Sequence, residues 1–170
     1  MNRRHWLGTA IAGAVAAPWV ASAAAAADVS ITRVVDTHTH FYDPTRPQGV
    51  PWPPPGTNLY RKVMPADWQA LAEPLGIRQT IVVEASPWVE DNRWVLELAA
   101  EEKAIVGLVG NLDPNDEQFA ANLRQLAANP LFRGIRWRND LVRIDVNRDK
   151  VLAGARLLAE LDLELDLNGP

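Results

Sequence analysis

Five short apolar runs recur along the sequence, each separated from the next by a stretch patterned for a helix. They fall at 31–38, 79–85, 104–110, 132–137 and 161–167. Each is rich in β-branched residues or leucine and is bounded by turn residues, as buried parallel strands are. The intervening stretches place apolar residues at helical spacing. Trp68, Leu71 and Leu75 do so in 65–75, and Trp94 and Leu98 in 90–103. Val151, Leu152, Ala155, Leu158 and Ala159 form the stripe in 148–160. A further helix is predicted over 115–128, after the start signal Asp113-Pro114-Asn115-Asp116-Glu117. This alternation has two common solutions, an open doubly wound sheet or a (β/α)8 barrel.

The first βα connection separates them. It carries no glycine-rich phosphate loop, so a dinucleotide-binding unit is not supported. It runs instead from Phe41 to Met64 and is rich in proline, with Pro44, Pro47, Pro51 and Pro53-Pro54-Pro55. Loops of this length in compact domains are usually functional, and in barrels they gather at the C-terminal face of the strands. The predicted fold is therefore α/β, the N-terminal portion (about five βα units) of a TIM-type (β/α)8 barrel. A full barrel of this type takes about 250 residues and eight strands. The 170 residues here hold five predicted strands, so the domain over 28–170 reads as truncated at its C-terminal side.

The start of the chain reads as an export signal. Arg3-Arg4 precedes Trp6-Leu7 and an alanine-rich run to Ala27, broken by Gly8, Gly13 and Pro18. The paired arginines favour a twin-arginine signal over 1–27, with an ordinary secretory signal as the alternative, and a periplasmic or secreted product. Its removal takes away two arginines and no acid, which leaves the mature chain more acidic than the formal net charge of -4. An acidic chain argues against nucleic acid as partner, and no membrane association is expected once the signal is gone. A small-molecule substrate remains open, and the sequence does not give the oligomeric state. With no cysteine, disulfides, thiolate metal ligands and a thiol nucleophile are all excluded.

The stretch Val34-Val35-Asp36-Thr37-His38-Thr39-His40 carries most of the chemical information. Alternation along a strand puts Asp36, His38 and His40 on one face. Two imidazoles at the C-terminal end of a barrel strand can converge on one divalent metal ion, zinc or similar, or on one substrate oxygen. Asp36, deeper on that face, is expected to fix a histidine tautomer. Glu84 ends the second run on the parity of Thr80 and Val82, where it either faces the site or sits at the rim. Arg136 shares its parity with Arg138, and a guanidinium there suits a substrate carboxylate or lactone carbonyl, or an ion pair with a neighbouring acid. Trp52 and its proline-rich loop can wall the site, although such a loop is more often only packing, and Trp88 and Trp94 read as core. The last run alternates Asp162, Glu164, Asp166 and Asn168 with leucines. That pattern implies either a polar barrel interior or an exposed edge, with Asp166 or Asn168 able to reach the site.

The run from Val34 through Phe41-Tyr42-Asp43 resembles the strand-one signature of the amidohydrolase superfamily. It is similar, more narrowly, to the amidohydrolase-related group of fuconolactonase-like and pyrone-dicarboxylate lactonase-like enzymes. Ile81-Val82-Val83-Glu84-Ala85-Ser86, Gly107 to Pro114 and Phe132-Arg133-Gly134-Ile135-Arg136 agree with that group. The resemblance implies a distorted (β/α)8 barrel that hydrolyses a lactone, or a related ester or amide, with an activated water. His38 and His40 would be catalytic and, where a metal is used, its ligands; Arg136 and Glu84 would bind substrate. Relatives with this H-x-H differ in whether they use a metal, and some are metal-dependent decarboxylases or hydratases. The family's further histidine and catalytic aspartate lie on later strands that this sequence does not reach. A non-catalytic remnant is therefore the competing reading of the chain.

Overall fold

The computed structural model describes residues 33–138 and 144–169. The signal predicted over 1–27 and the start of the first predicted strand lie outside the described residues. Five parallel strands appear: β1 (Val35–Thr39), β2 (Gln79–Val83), β3 (Ile105–Gly110), β4 (Phe132–Arg138) and β5 (Glu164–Asn168). Four helices alternate with them: α1 (Pro65–Ala72), α2 (Val89–Glu101), α3 (Phe119–Ala127) and α4 (Ile144–Glu160). The strands lie in the sheet in their sequence order. A doubly wound sheet reverses its strand order at a switch point and a barrel does not, so this is the barrel solution. The sheet is curled into a half-barrel. The curl lets a side chain of β1 (His38) touch one of β4 (Arg136) across the concave face, although β2 and β3 lie between.

The core lies on the convex side. Val82, Leu108, Ile135 and Trp137 point from the strands into the helical layer, where they meet Val95, Leu123 and Leu158. Buried apolar area of this kind supplies most of the stability of such a layer. Polar ties fix the layers in register. Asn92 of α2, fully buried, donates to the Asn111 carbonyl and accepts from the Asn111 N–H, both at 2.9 Å. Trp137 donates its indole N–H to the Leu112 carbonyl at 3.1 Å.

Two helix expectations change. Leu71 and Leu75 are 75% and 76% exposed, not core. The line of α1 that meets the sheet is Pro65, Trp68 and Ala72, and Leu71 falls about 100° away from its centre. Helix α3 starts at Phe119, not 115. Asp113 and Asp116 use their carboxylates in turns, accepting from the N–H groups of Asn115 and Gln118, so the start signal folds as two Asx turns before the helix. In α4 the helical path breaks at Asn147, whose φ is -123° and ψ 31°, and regular helix resumes at Arg148 as the periodicity predicts. Among the described residues no helix is long and apolar enough to cross a membrane.

Candidate active site at the strand C-terminal ends

The pairing of β1 with β2 slips by one residue between Asp36 and Thr39. That slip flips the alternation. Asp36 pairs with Thr80 and Thr39 with Val82, so Asp36 and Thr39 share the helix-facing side. Asp36 accepts from the Trp68 indole of α1 at 3.1 Å and from the His38 backbone N–H at 3.1 Å. The expectation that Asp36 shares a face with the histidines and fixes a tautomer is thus corrected. Its carboxylate is committed to α1 and to the backbone. Sequence parity cannot register a slip that only the β2 pairing reveals.

His38 projects over the concave face and His40 follows the strand end. Their rings meet edge to face, with centroids 5.0 Å apart. The tautomer of His40 is set by a backbone group: its Nδ1 donates to the Val83 carbonyl of β2 at 2.5 Å. A carbonyl only accepts, so the proton sits on Nδ1 and the Nε2 lone pair is left free. Burial holds the His40 pKa below 6.5, the nearby His38 and Arg136 add to the effect, and the Val83 bond opposes it. Trp52 packs edge-on against His40 at 5.6 Å and against Tyr42 at 5.4 Å.

Arg136 closes the other side. Its NH1 donates to His38 Nε2 at 3.3 Å, because a guanidinium has no lone pair to offer. Its Nε and NH2 donate to one oxygen of Asp166 at 2.6 and 2.5 Å. Of the alternatives open to Arg136 in the sequence, the ion pair with a neighbouring acid is formed. The register of β5 explains the pairing: Glu164, Asp166 and Asn168 sit opposite Gly134, Arg136 and Arg138. The polar set of β5 therefore lines the concave side, and β5 is also an edge of the sheet.

Glu84 lies elsewhere. Thr80 and Val82, whose parity it shares, face the helical layer, and Glu84 is buried at 6% exposure. One carboxylate oxygen accepts from the N–H groups of Ala85 and Ser86, both at 2.8 Å. Its other oxygen is buried without a partner among the described residues. Burial pushes its pKa up to about 7, helped by Asp91 and opposed by Arg46 and the two backbone bonds. It is not brought into the His38–His40–Arg136 group. The long loop is tied at its base by a two-way backbone bridge between Tyr42 and Val63.

A divalent metal needs about four ligands, and among the described residues no three His, Asp or Glu side chains gather to hold one. The His38 lone pair that would face such an ion faces a guanidinium instead. Within the described residues the two histidines are the strand-one imidazoles, without a third carboxylate or imidazole gathered beside them. The groups that sequence reasoning missed here are the Val83 carbonyl, Trp68, Arg46 and Asp91. A backbone carbonyl leaves no mark in a sequence, and the other three act through pairings between distant segments.

Comparison with known proteins places the chain. A family model described as amidohydrolase matches residues 35–169. Over 123 residues the chain is 34% identical to the L-fucono-1,5-lactonase of Burkholderia ambifaria, covering 71% of this chain and 42% of that protein. A solved amidohydrolase of Burkholderia multivorans, with bound zinc, superposes with a TM-score of 0.66 at 25% identity, covering 78% of this chain and 48% of that one. A probable 2-pyrone-4,6-dicarboxylic acid hydrolase of Acinetobacter baumannii, with citric acid bound, shares the fold with a TM-score of 0.62 at 14% identity, covering 80% and 49%. The chain spans less than half the length of each of these relatives. The match over nearly all of the described residues, with a half-barrel carrying paired histidines at its first strand, establishes that this chain belongs to the amidohydrolase family.

Proposed function

We propose that the chain carries the strand-one side of a lactone-hydrolysing site acting on a small sugar-derived or carboxylated lactone. The observation that carries this reading is the His40 ring, held neutral with Nδ1 committed and Nε2 free, beside a guanidinium on the same cleft. The reaction needs a base for water and a donor for the carbonyl oxygen. His40 Nε2 takes a proton as the water oxygen bonds to the lactone carbonyl carbon. Arg136 donates to the oxygen that becomes negative. The ring C–O bond then breaks, and the proton on His40 passes to the departing alkoxide, giving the hydroxy acid. Asp166 orients Arg136, and His38 accepts from it, so the guanidinium is aimed before substrate arrives. The lactonase identity of the curated relative supports this substrate class.

The test is hydrolysis of L-fucono-1,5-lactone by the full chain, followed by proton release. Turnover above the spontaneous rate is expected. Arg136→Met should lower kcat by about 100-fold or more, as loss of one oxyanion donor does, and His40→Ala should abolish the remainder. A chain shown to be folded by near-ultraviolet circular dichroism that does not accelerate the reaction would overturn the proposal.

A further inference from the structure

A second charged cluster lies beneath the proline-rich loop, away from the histidines. Arg46 reaches from the loop to α2 and donates to Asp91 at 2.7 Å, with both side chains largely buried. Its guanidinium also lies over the Trp94 ring at 4.5 Å and donates to the Gly49 carbonyl at 3.4 Å. Arg46, Asp91 and Glu84 line one small cavity, together with Tyr42, Trp52 and Trp94. Its volume is about 10 Å³, room for one water molecule and too little for a substrate. Two of the polar atoms in this lining, Glu84 Oε2 and Arg46 Nε, are buried without a partner among the described residues.

We infer that Arg46, Asp91 and Glu84 are positioning residues that hold the Trp52 wall against His40, and that the wall is held firmly while Glu84 is protonated and loosened when it ionises. With Glu84 neutral, the cavity holds one cation and one anion. With Glu84 ionised, two carboxylates share one guanidinium inside aromatic walls, a buried excess of negative charge that is costly without water. Lifting the loop admits that water. The loop and α2 bring no other charged group to the cavity lining; Tyr42 is the remaining titratable group there. Asp43 and Lys62 pair with each other at 3.0 Å outside that lining. Trp52 of the lining packs edge-on against His40, whose Nδ1 bonds to the carbonyl of Val83, the residue before Glu84. A carboxyl that titrates near neutrality in this place makes the device responsive in the ordinary working range.

The functional consequence rests on the proposed lactone chemistry, but the test does not. Hydrogen exchange of the segment 41–64 in the full chain, corrected for the intrinsic rate, is measured at pH 6 and pH 8. At pH 8 the wild-type loop should exchange about tenfold faster than at pH 6. Glu84→Gln should keep the slow exchange at both values. Asp91→Asn, which removes the competing anion, should move the transition to lower pH. A wild-type loop equally protected at both pH values would overturn the inference, as would a transition that persists in Glu84→Gln. If Glu84→Gln does not fold, the direction of the Asp91→Asn shift decides, and an upward or absent shift refutes the device. A chain that hydrolyses no lactone yet shows the transition would sink only the proposed function.

Discussion

A backbone carbonyl fixes the chemistry open to His40. Because the Val83 carbonyl accepts a hydrogen bond from Nδ1–H, Nε2 is the atom that can accept a proton from water, and only the neutral ring can do so. Burial lowers the pKa of that ring, so it is already neutral by pH 6.5. For the lactone reaction, kcat/KM should rise on the acid side with a midpoint below 6.5 and be level above it. Trp52→Ala, which exposes the ring to water, should move that midpoint up toward 6.5. A wild-type midpoint at or above 6.5, measured by proton release over pH 4.5–8, would remove His40 from the role of base. Arg136 pairs with a neighbouring acid, and its fork spans Asp166 and His38 at once. For Glu84 the parity was legible, but the side that parity faces was not, and that side is the helical layer.

At the scale of elements, the sheet depends on close approach of β4 and β5. A Cβ added at Gly134 would lie 2.0 Å from the Glu164 carbonyl oxygen, so no side chain fits without moving the strand. Gly134→Ala should destabilise the chain by about 3 kcal/mol, the upper part of the range for overpacking, read from the midpoint of urea unfolding. It should also weaken the Arg136–Asp166 pairing, which depends on the same register. A midpoint unchanged from wild type would mean that β5 is not held as described. All five strands and the placement of α1, α2 and α4 were legible from periodicity, although β1 and β5 bury little and the stripe read in α1 is exposed. The start of α3 was not, because Asp113 and Asp116 have a second use in turns that competes with capping. The slip in β1 was not legible either, since register belongs to a pair of strands.

For the whole molecule, a buried carboxyl and a half-buried imidazole pull stability in opposite directions with pH. Glu84 has a folded pKa near 7 against an ordinary 4.5, so the folded state binds its proton more tightly. Its contribution is full below 4.5 and is lost as pH rises through 7, a span worth about 3 kcal/mol. His40 is held below 6.5, so its contribution is present above 6.5 and is lost as pH falls through its depressed value. Glu84 has the wider window and the deeper burial, so urea midpoints should fall between pH 5 and 7.5 in the wild type. In Glu84→Gln that decline should disappear, and a decline of equal size in the variant would assign it to another group.

The sequence by itself determined the alternation of strands and helices, the absence of thiol chemistry, the family, and the presence of His38, His40 and Arg136 at strand ends. These follow from composition and from periodicities local to one segment. Tertiary structure alone decided the side to which Asp36 and Glu84 turn, the tautomer of His40, and the meeting of Arg136 with both Asp166 and His38. Each of those is a relation between segments far apart in the chain. It is fixed by strand register and by the curl of the sheet, which no local pattern records.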